Sequence, residues 1–223
     1  MNIKDNLSQI HQQISQACKQ TNRSPEQVKL LAVSKTKPSE LVMQAYQAGQ
    51  RHFGENYVQE AVDKVAQLSH LSDICWHFIG PIQSNKTKLI AENFSWVHSV
   101  DRIKIATRLN DQRSSQDTPL NICLQVNISE EEAKSGVNLS ELPQLAQYVS
   151  NCEHLKLRGL MAIPQKNAPI SVFNQMNQLF TDLKKQYSTI DTLSMGMSND
   201  LEPAIAAGST MVRIGTAIFG QRS

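Results

Sequence analysis

Apolar residues recur at helical spacing at the start of the chain: Ile3, Leu7, Ile10, Ile14 and Ala17 share one face, and Ser24-Pro25 supplies a stop and a fresh start. The opening is therefore an amphipathic helix. The pattern then changes to a continuous apolar run, Val28-Lys29-Leu30-Leu31-Ala32-Val33-Ser34-Lys35, short enough to be a buried strand. Pro38 and a helical stretch ending at Gly49 complete one strand-helix unit.

The same alternation continues to the end. Extended segments are predicted at 52–54, 74–79, 94–98, 120–128, 155–163, 192–195 and 211–218. Helical segments fall between them at 58–68, 84–92, 102–109, 139–149 and 200–207, and the spacing of Phe173, Met176, Leu179, Phe180 and Leu183 marks another. That makes about eight strands, each but the last followed by a helix. Such alternation requires parallel strands covered by helices, which an open doubly wound sheet or a closed (β/α)8 barrel can provide. The strand count favours the barrel. So does the missing G-x-G-x-x-G turn, because the first strand ends Ser34-Lys35-Thr36-Lys37-Pro38. No linker or low-complexity segment divides the chain, so the expectation is a single α/β TIM barrel over 1–223, with the helix in 1–23 packed on it.

Composition narrows the functional classes. With 40% hydrophobic and 19% charged residues, a disordered or fibrous chain is excluded. Lys plus Arg is 22 against 20 for Asp plus Glu, with no basic run, and aromatics are 5%. Neither the electrostatic footprint nor the stacking surface of a nucleic-acid binder is present. Cys18, Cys75, Cys123 and Cys152 lie far apart with no C-x-x-C pair, so free thiols are expected rather than a zinc cage or a disulfide framework. No cationic leader opens the chain and no run reaches the ~18 apolar residues of a membrane helix. A soluble, cytoplasmic, monomeric protein is the expectation.

In a barrel the working groups sit where strands end, at the C-terminal face. Lys35 has the strand parity of Leu31 and Val33, so an amine caps an apolar stripe. Burial there would lower its pKa and make it nucleophilic enough to form an imine; a solvated strand-end lysine is the competing reading. Lys37, beside Pro38, falls beyond the mouth. After strands seven and eight come Ser194-Met195-Gly196-Met197-Ser198-Asn199-Asp200 and Val212-Arg213-Ile214-Gly215-Thr216. These loops are the recurrent phosphate site of such barrels, and Ser198, Gly215 and Thr216 are suitable residue types. The alternative makes Ser198 or Asn199 a helix N-cap and Gly215 a packing glycine.

Strands one and eight are neighbours in a closed barrel, so an imine-forming lysine would face a phosphate cradle. A phosphorylated aldehyde or sugar held by a Schiff-base aldolase fits, and so does pyridoxal 5′-phosphate (PLP), which carries aldehyde and phosphate on one ring. Arg213 shares the parity of Gly215 and lies deeper, where a pyridine nitrogen or a carboxylate inside the barrel could meet it. Opposite a ring nitrogen, a guanidinium would keep that nitrogen unprotonated and the ring a poor electron sink.

Six blocks carry a resemblance: 31–38 around Lys35, 52–60 from His52-Phe53-Gly54-Glu55-Asn56 to Glu60, 76–86 from Trp76-His77-Phe78-Ile79-Gly80-Pro81 to Lys86, Arg158-Gly159-Leu160-Met161-Ala162-Ile163, 193–198 and 212–216. In this order, over nearly the whole length, they resemble the YggS/PROSC family of pyridoxal phosphate homeostasis proteins. The resemblance implies a barrel of the alanine racemase N-terminal type holding PLP as an internal aldimine on Lys35. It implies that Ser198, Gly215 and Thr216 hold the phosphate, Arg213 faces the ring nitrogen and Asn56 lies near the ring. His77 and Met161 fall in these blocks and are expected to pack the barrel. Lys134, after the fifth strand, is expected to be a solvated loop lysine, with transient capture of an aldehyde as the alternative.

Racemases that share the barrel add a β-domain bearing a second acid-base tyrosine, and this sequence stops at Ser223. The implied role is to bind and buffer PLP and deliver it to PLP-dependent apoenzymes, without an enzymatic reaction and without a metal. A weak amino-acid racemase is the first alternative, and a Schiff-base aldolase the second.

Overall fold

The computed structural model describes residues 2–129 and 135–221; Lys134 lies outside them. Helix α1 (Ile3–Gln20) is capped by Asn2, whose side chain accepts from the main-chain N–H groups of Lys4 and Asp5. Its buried stripe of Ile3, Leu7, Ile10, Ile14 and Ala17 is the face expected from the periodicity. The strands are β1 (Lys29–Val33), β2 (His52–Glu55), β3 (Cys75–Phe78), β4 (Trp96–Val100), β5 (Leu120–Gln125), β6 (Leu155–Met161), β7 (Thr192–Ser194) and β8 (Met211–Ile214). The helices that follow them in turn are α2 (Ser39–Gln47), α3 (Val58–Gln67), α4 (Thr87–Asn93), α5 (Ile103–Arg113), α6 (Leu142–Ser150), α7 (Ile170–Gln186), α8 (Leu201–Ala206) and α9 (Thr216–Phe219). Each strand pairs in parallel with the next, and β1 closes onto β8 with Leu31 opposite Arg213. A closed barrel of this kind leaves no unpaired edge.

Alternation along β1 sorts its side chains between two cores. Leu30 and Ala32 join the large layer between sheet and helices, together with Ile90, Ile105, Leu109 and Phe173. Leu31 and Val33 point inward, Leu31 against Gly54 and Val33 against Gly215. The barrel interior is packed by Trp96, Cys123 and Met161, with Cys75 against them, so Met161 is a packing residue. α1 packs on α8, α9 and α2. No helix among the described residues is long and apolar enough to cross a membrane.

The last extended segment is corrected. The run expected at 211–218 leaves the sheet after Ile214, and the main-chain N–H groups of Ile218 and Phe219 both donate to the Gly215 carbonyl at 2.9 Å. The apolar character continues because Ile218 and Phe219 are buried under α1, where Asn6 Nδ2 donates to the Ile218 carbonyl at 2.8 Å. Periodicity registered that burial but not the change of partner from sheet to helix. The eighth strand therefore has its own helix, and the two residues after Ile214 are free to shape a site.

Candidate functional site

At the C-terminal mouth of the barrel lies a cavity of about 690 Å³, and all six residues singled out in the sequence line it: Lys35, Asn56, Ser198, Arg213, Gly215 and Thr216. They come from β1, β2, β7 and β8, which are brought together by closure of the sheet.

Lys35 sits in a turn closed by the Lys37 N–H on the Ser34 carbonyl at 3.1 Å. The next residue, Thr36, has φ 62, a conformation that costs a β-branched side chain about 1–3 kcal/mol. The residues on both sides of Lys35 are tied down by one buried network. Ser34 Oγ donates to Glu55 Oε1 at 2.6 Å, and the Thr36 N–H donates to Glu60 Oε1 at 2.7 Å. Lys64 Nζ links the two carboxylates, at 2.7 Å from Glu55 and 3.1 Å from Glu60, and donates to the Ser34 carbonyl at 2.9 Å. Burial pushes the Glu55 carboxyl up, against the downward pull of Lys64 and Ser34. Lys37 is not part of this arrangement; its ammonium reaches the Gln221 carbonyl at 2.5 Å.

Asn56 follows β2 directly. Its position depends on Gly80: a Cβ there would lie 2.1 Å from the Asn56 carbonyl oxygen, so only glycine permits the approach of the two loops.

On the opposite wall, Asp200 is the N-cap residue of α8, and its carboxylate accepts from the Met197 N–H at 2.5 Å. Ser198 and Asn199 therefore do not cap the helix. Among the described residues, the hydroxyls of Ser198 and Thr216 have no protein hydrogen-bond partner, and the N–H groups of Ser198, Asn199, Thr216 and Ala217 have no main-chain acceptor. Gly215 keeps this wall thin, because a Cβ would meet the Val33 carbonyl oxygen at 3.0 Å. Unpartnered donors from two loops around one cavity are what a phosphate monoester requires.

Arg213 is buried beneath them. Nη1 donates to the Ser194 carbonyl at 2.7 Å and to Ser194 Oγ at 2.8 Å, and Nη2 donates to the Ala162 carbonyl at 2.9 Å. These acceptors are two carbonyls and a hydroxyl, so the ion pair considered as an alternative is not what holds it. Three of its five N–H donors are used, leaving two. Burial lowers its pKa to about 10, so it carries its charge at neutral pH.

A chain of polar groups that sequence reasoning missed runs on from Arg213 through the barrel. Ser194 Oγ is 3.0 Å from His98 Nδ1, His98 Nε2 is 2.9 Å from His77 Nδ1, and His77 Nε2 is 2.9 Å from His52 Nδ1. A guanidinium can only donate, so Ser194 Oγ accepts from Arg213 and its own hydroxyl proton is available to His98. With that proton donated to His98, His98 donates to His77 and His77 to His52; with His98 protonated on Nδ1, Ser194 accepts from both neighbours and the chain runs the other way. Burial lowers the pKa values of His52 to about 4 and His98 to about 3, and holds that of His77 well below the ordinary imidazole value, so all three are neutral at neutral pH. His77 is thus more than the packing residue expected, although it also stacks on Trp96 with ring centroids 5.3 Å apart. The only signal in the sequence was shared parity on β2, β3 and β4, since Gly54 pairs with His77 and His77 with Trp96.

Closed parallel strands and a mouth built from a lysine, a buried arginine and a ring of unpartnered donors define a (β/α)8 barrel of the alanine racemase N-terminal type. Residues 6–223 match the family described as alanine racemase, N-terminal domain. The chain is 55% identical over 226 residues to the pyridoxal phosphate homeostasis protein of Escherichia coli (strain K12), covering 99% of this chain and 97% of that one. A solved protein of unknown function from Bifidobacterium adolescentis superposes with a TM-score of 0.92 at 31% identity, covering 98% of this chain and 94% of that one. PipY of Synechococcus elongatus PCC7942, solved with PLP bound, superposes with a TM-score of 0.82 at 36% identity, covering 98% and 100%. The chain belongs to the pyridoxal phosphate homeostasis protein family.

Proposed function

We propose that this protein binds PLP at the barrel mouth and serves as a carrier that buffers the cofactor and passes it to PLP-dependent apoenzymes. The observation that supports this best is the convergence of Lys35, Arg213 and the unpartnered donors of Ser198 and Thr216 on one cavity. PLP supplies an aldehyde open to a primary amine. Lys35 is the amine for it, held in place by the Ser34 and Thr36 anchors. Ser198, Gly215 and Thr216 would receive the phosphate, Asn56 would lie beside the ring, and Arg213 would offer one of its two remaining donors to the ring nitrogen.

The role of carrier rather than racemase follows from two features. A ring nitrogen that accepts from Arg213 cannot hold a proton, so carbanion formation next to the carbonyl carbon is weakly supported. Two-sided proton transfer also needs a base on each face, and among the described lining residues Lys35 is the one basic group suited to it. The relatives' name, which describes homeostasis rather than a reaction, agrees with this reading. The protein acts as a cytoplasmic monomer in this proposal.

Mass spectrometry of borohydride-reduced, PLP-loaded protein tests the site: the pyridoxyl mass is expected on Lys35, and its presence on another lysine overturns the assignment. Incubation with single-enantiomer alanine tests the role. Racemisation at enzyme-like rates that disappears in Lys35→Ala would replace the carrier with an enzyme.

A further inference from the structure

At the floor of the barrel, opposite the mouth, three side chains converge that the cofactor site does not use. His52 and Cys75 open β2 and β3 and are register partners, and His77 lies two residues further along β3 on the same inward face. One donor atom from each residue falls within 4.8 Å of the other two. His52 and Cys75 are partly exposed at the floor, which gives an ion a route in, whereas His77 closes the site from within. From this arrangement we infer that His52, Cys75 and His77 form a binding site for a thiophilic d10 metal ion, reached from the end of the barrel opposite the cofactor.

The donor set selects the ion. Two imidazole nitrogens and a thiolate suit monovalent copper and zinc and disfavour magnesium or calcium, which need oxygen ligands. The charge around the cluster chooses between the first two. The Lys29 ammonium bears electrostatically on His52, Cys75 and His77 alike. With the thiol proton released, the site is neutral around monovalent copper and carries +1 around zinc, so proximity to Lys29 favours copper. The two nitrogens facing each other at 2.9 Å need to part by about half an ångström, with a turn of the rings, to take a shared ion at ~2.0–2.1 Å.

Binding has a consequence along the polar chain. A proton shared between His77 Nε2 and His52 Nδ1 holds them at 2.9 Å, and a metal needs both lone pairs. His77 must then carry its proton on Nδ1 and donate to His98 Nε2, and His98 must carry its own on Nδ1 and donate to Ser194. Each ring keeps one proton, the thiol proton leaves to solvent, and Ser194 then accepts from both His98 and Arg213.

The test uses the intact chain, with and without PLP. Monovalent copper is titrated in competition with bicinchoninate, and zinc in competition with pyridylazoresorcinol. One copper ion per chain is expected, bound more tightly than zinc, with a thiolate-to-metal absorption band. Cys75→Ser is expected to weaken binding by about 100-fold or more and His52→Gln by about 10-fold or more, whereas Cys152→Ser leaves it unchanged. Circular dichroism melting confirms that each variant is folded. Stoichiometric binding that survives Cys75→Ser, preference for zinc, or no binding of either ion overturns the site. Nitrogen-15 spectra of the histidine rings supply a readout that simple surface binding would not move. His98, which touches no metal, is expected to carry its proton on Nδ1 in the metal-bound protein, and a metal-bound His98 protonated on Nε2 places the ion off His77 and refutes the arrangement.

Discussion

Lys64 Nζ lies 2.7 Å from Glu55 Oε1, with both side chains enclosed behind β1 and the ammonium also on the carbonyl of Ser34. The pair anchors the residue that precedes Lys35. A buried ion pair recovers little of its desolvation cost, so its contribution here is geometric more than energetic.

Removing one partner strands the other. Lys64→Met is expected to destabilise the fold by about 3–5 kcal/mol in urea denaturation, because Glu55 loses its buried counter-charge and must stay charged without it or take up a proton. Lys64→Met combined with Glu55→Gln is expected to recover part of that loss while still lowering PLP affinity. Equal stability of single variant and wild type would show that the pair is solvated.

Lys35→Ala should abolish borohydride-trappable attachment of PLP and leave the melting temperature of the apoprotein nearly unchanged, since Lys35 lies in a turn outside the packed core. Absorption and melting curves of the variant check both halves.

Thr216→Val keeps the size of the side chain and removes one donor from the mouth. PLP affinity is expected to fall by about 1.5–3 kcal/mol if the lost bond is to a charged phosphate. A dissociation constant equal to that of the wild type would remove Thr216 from the phosphate wall.

Gly80→Ala should act on Asn56 without touching the cavity, because the new Cβ would overlap the Asn56 carbonyl at 2.1 Å. Overpacking of this kind costs about 1–3 kcal/mol. Weaker PLP binding with a lowered melting temperature is expected, and calorimetry measures both.

Acid should destabilise the protein through its buried histidines. His98 has a folded pKa of about 3 against 6.5 for an exposed ring, so below pH 6.5 the unfolded chain takes up the proton first. Its contribution to stability is complete above pH 6.5 and is lost as the pH falls towards 3, at up to ~1.4 kcal/mol per pH unit. Urea denaturation at pH 7 and pH 5 should show His98→Gln losing about 2 kcal/mol less than the wild type across that interval. Identical pH slopes would mean that the ring is hydrated.

Much of the architecture was legible because a parallel barrel buries each strand on both sides and alternates it with an amphipathic helix. Val28 to Val33 and the stripe Ile3, Leu7, Ile10, Ile14 could be read directly. The mouth was legible for a related reason: strand ends carry the polar residues, so Lys35, Ser198, Gly215 and Thr216 stood out against apolar runs. Asn56 came from resemblance alone, whereas strand parity put Arg213 opposite either a ring nitrogen or a carboxylate and the resemblance chose between them.

The interior was not legible in this way. His98 and Ser194 are 96 residues apart, and nothing local announces that they share a hydrogen bond. Lys64 reads as an exposed residue of α3 until the helix is laid against β1 and β2. Hydrophobic periodicity thus determined the barrel and the level at which its chemistry sits. Closure of the sheet decided which inward polar groups meet, because side-chain partners across a barrel depend on register and distance in space, and neither is written into neighbouring positions of the chain.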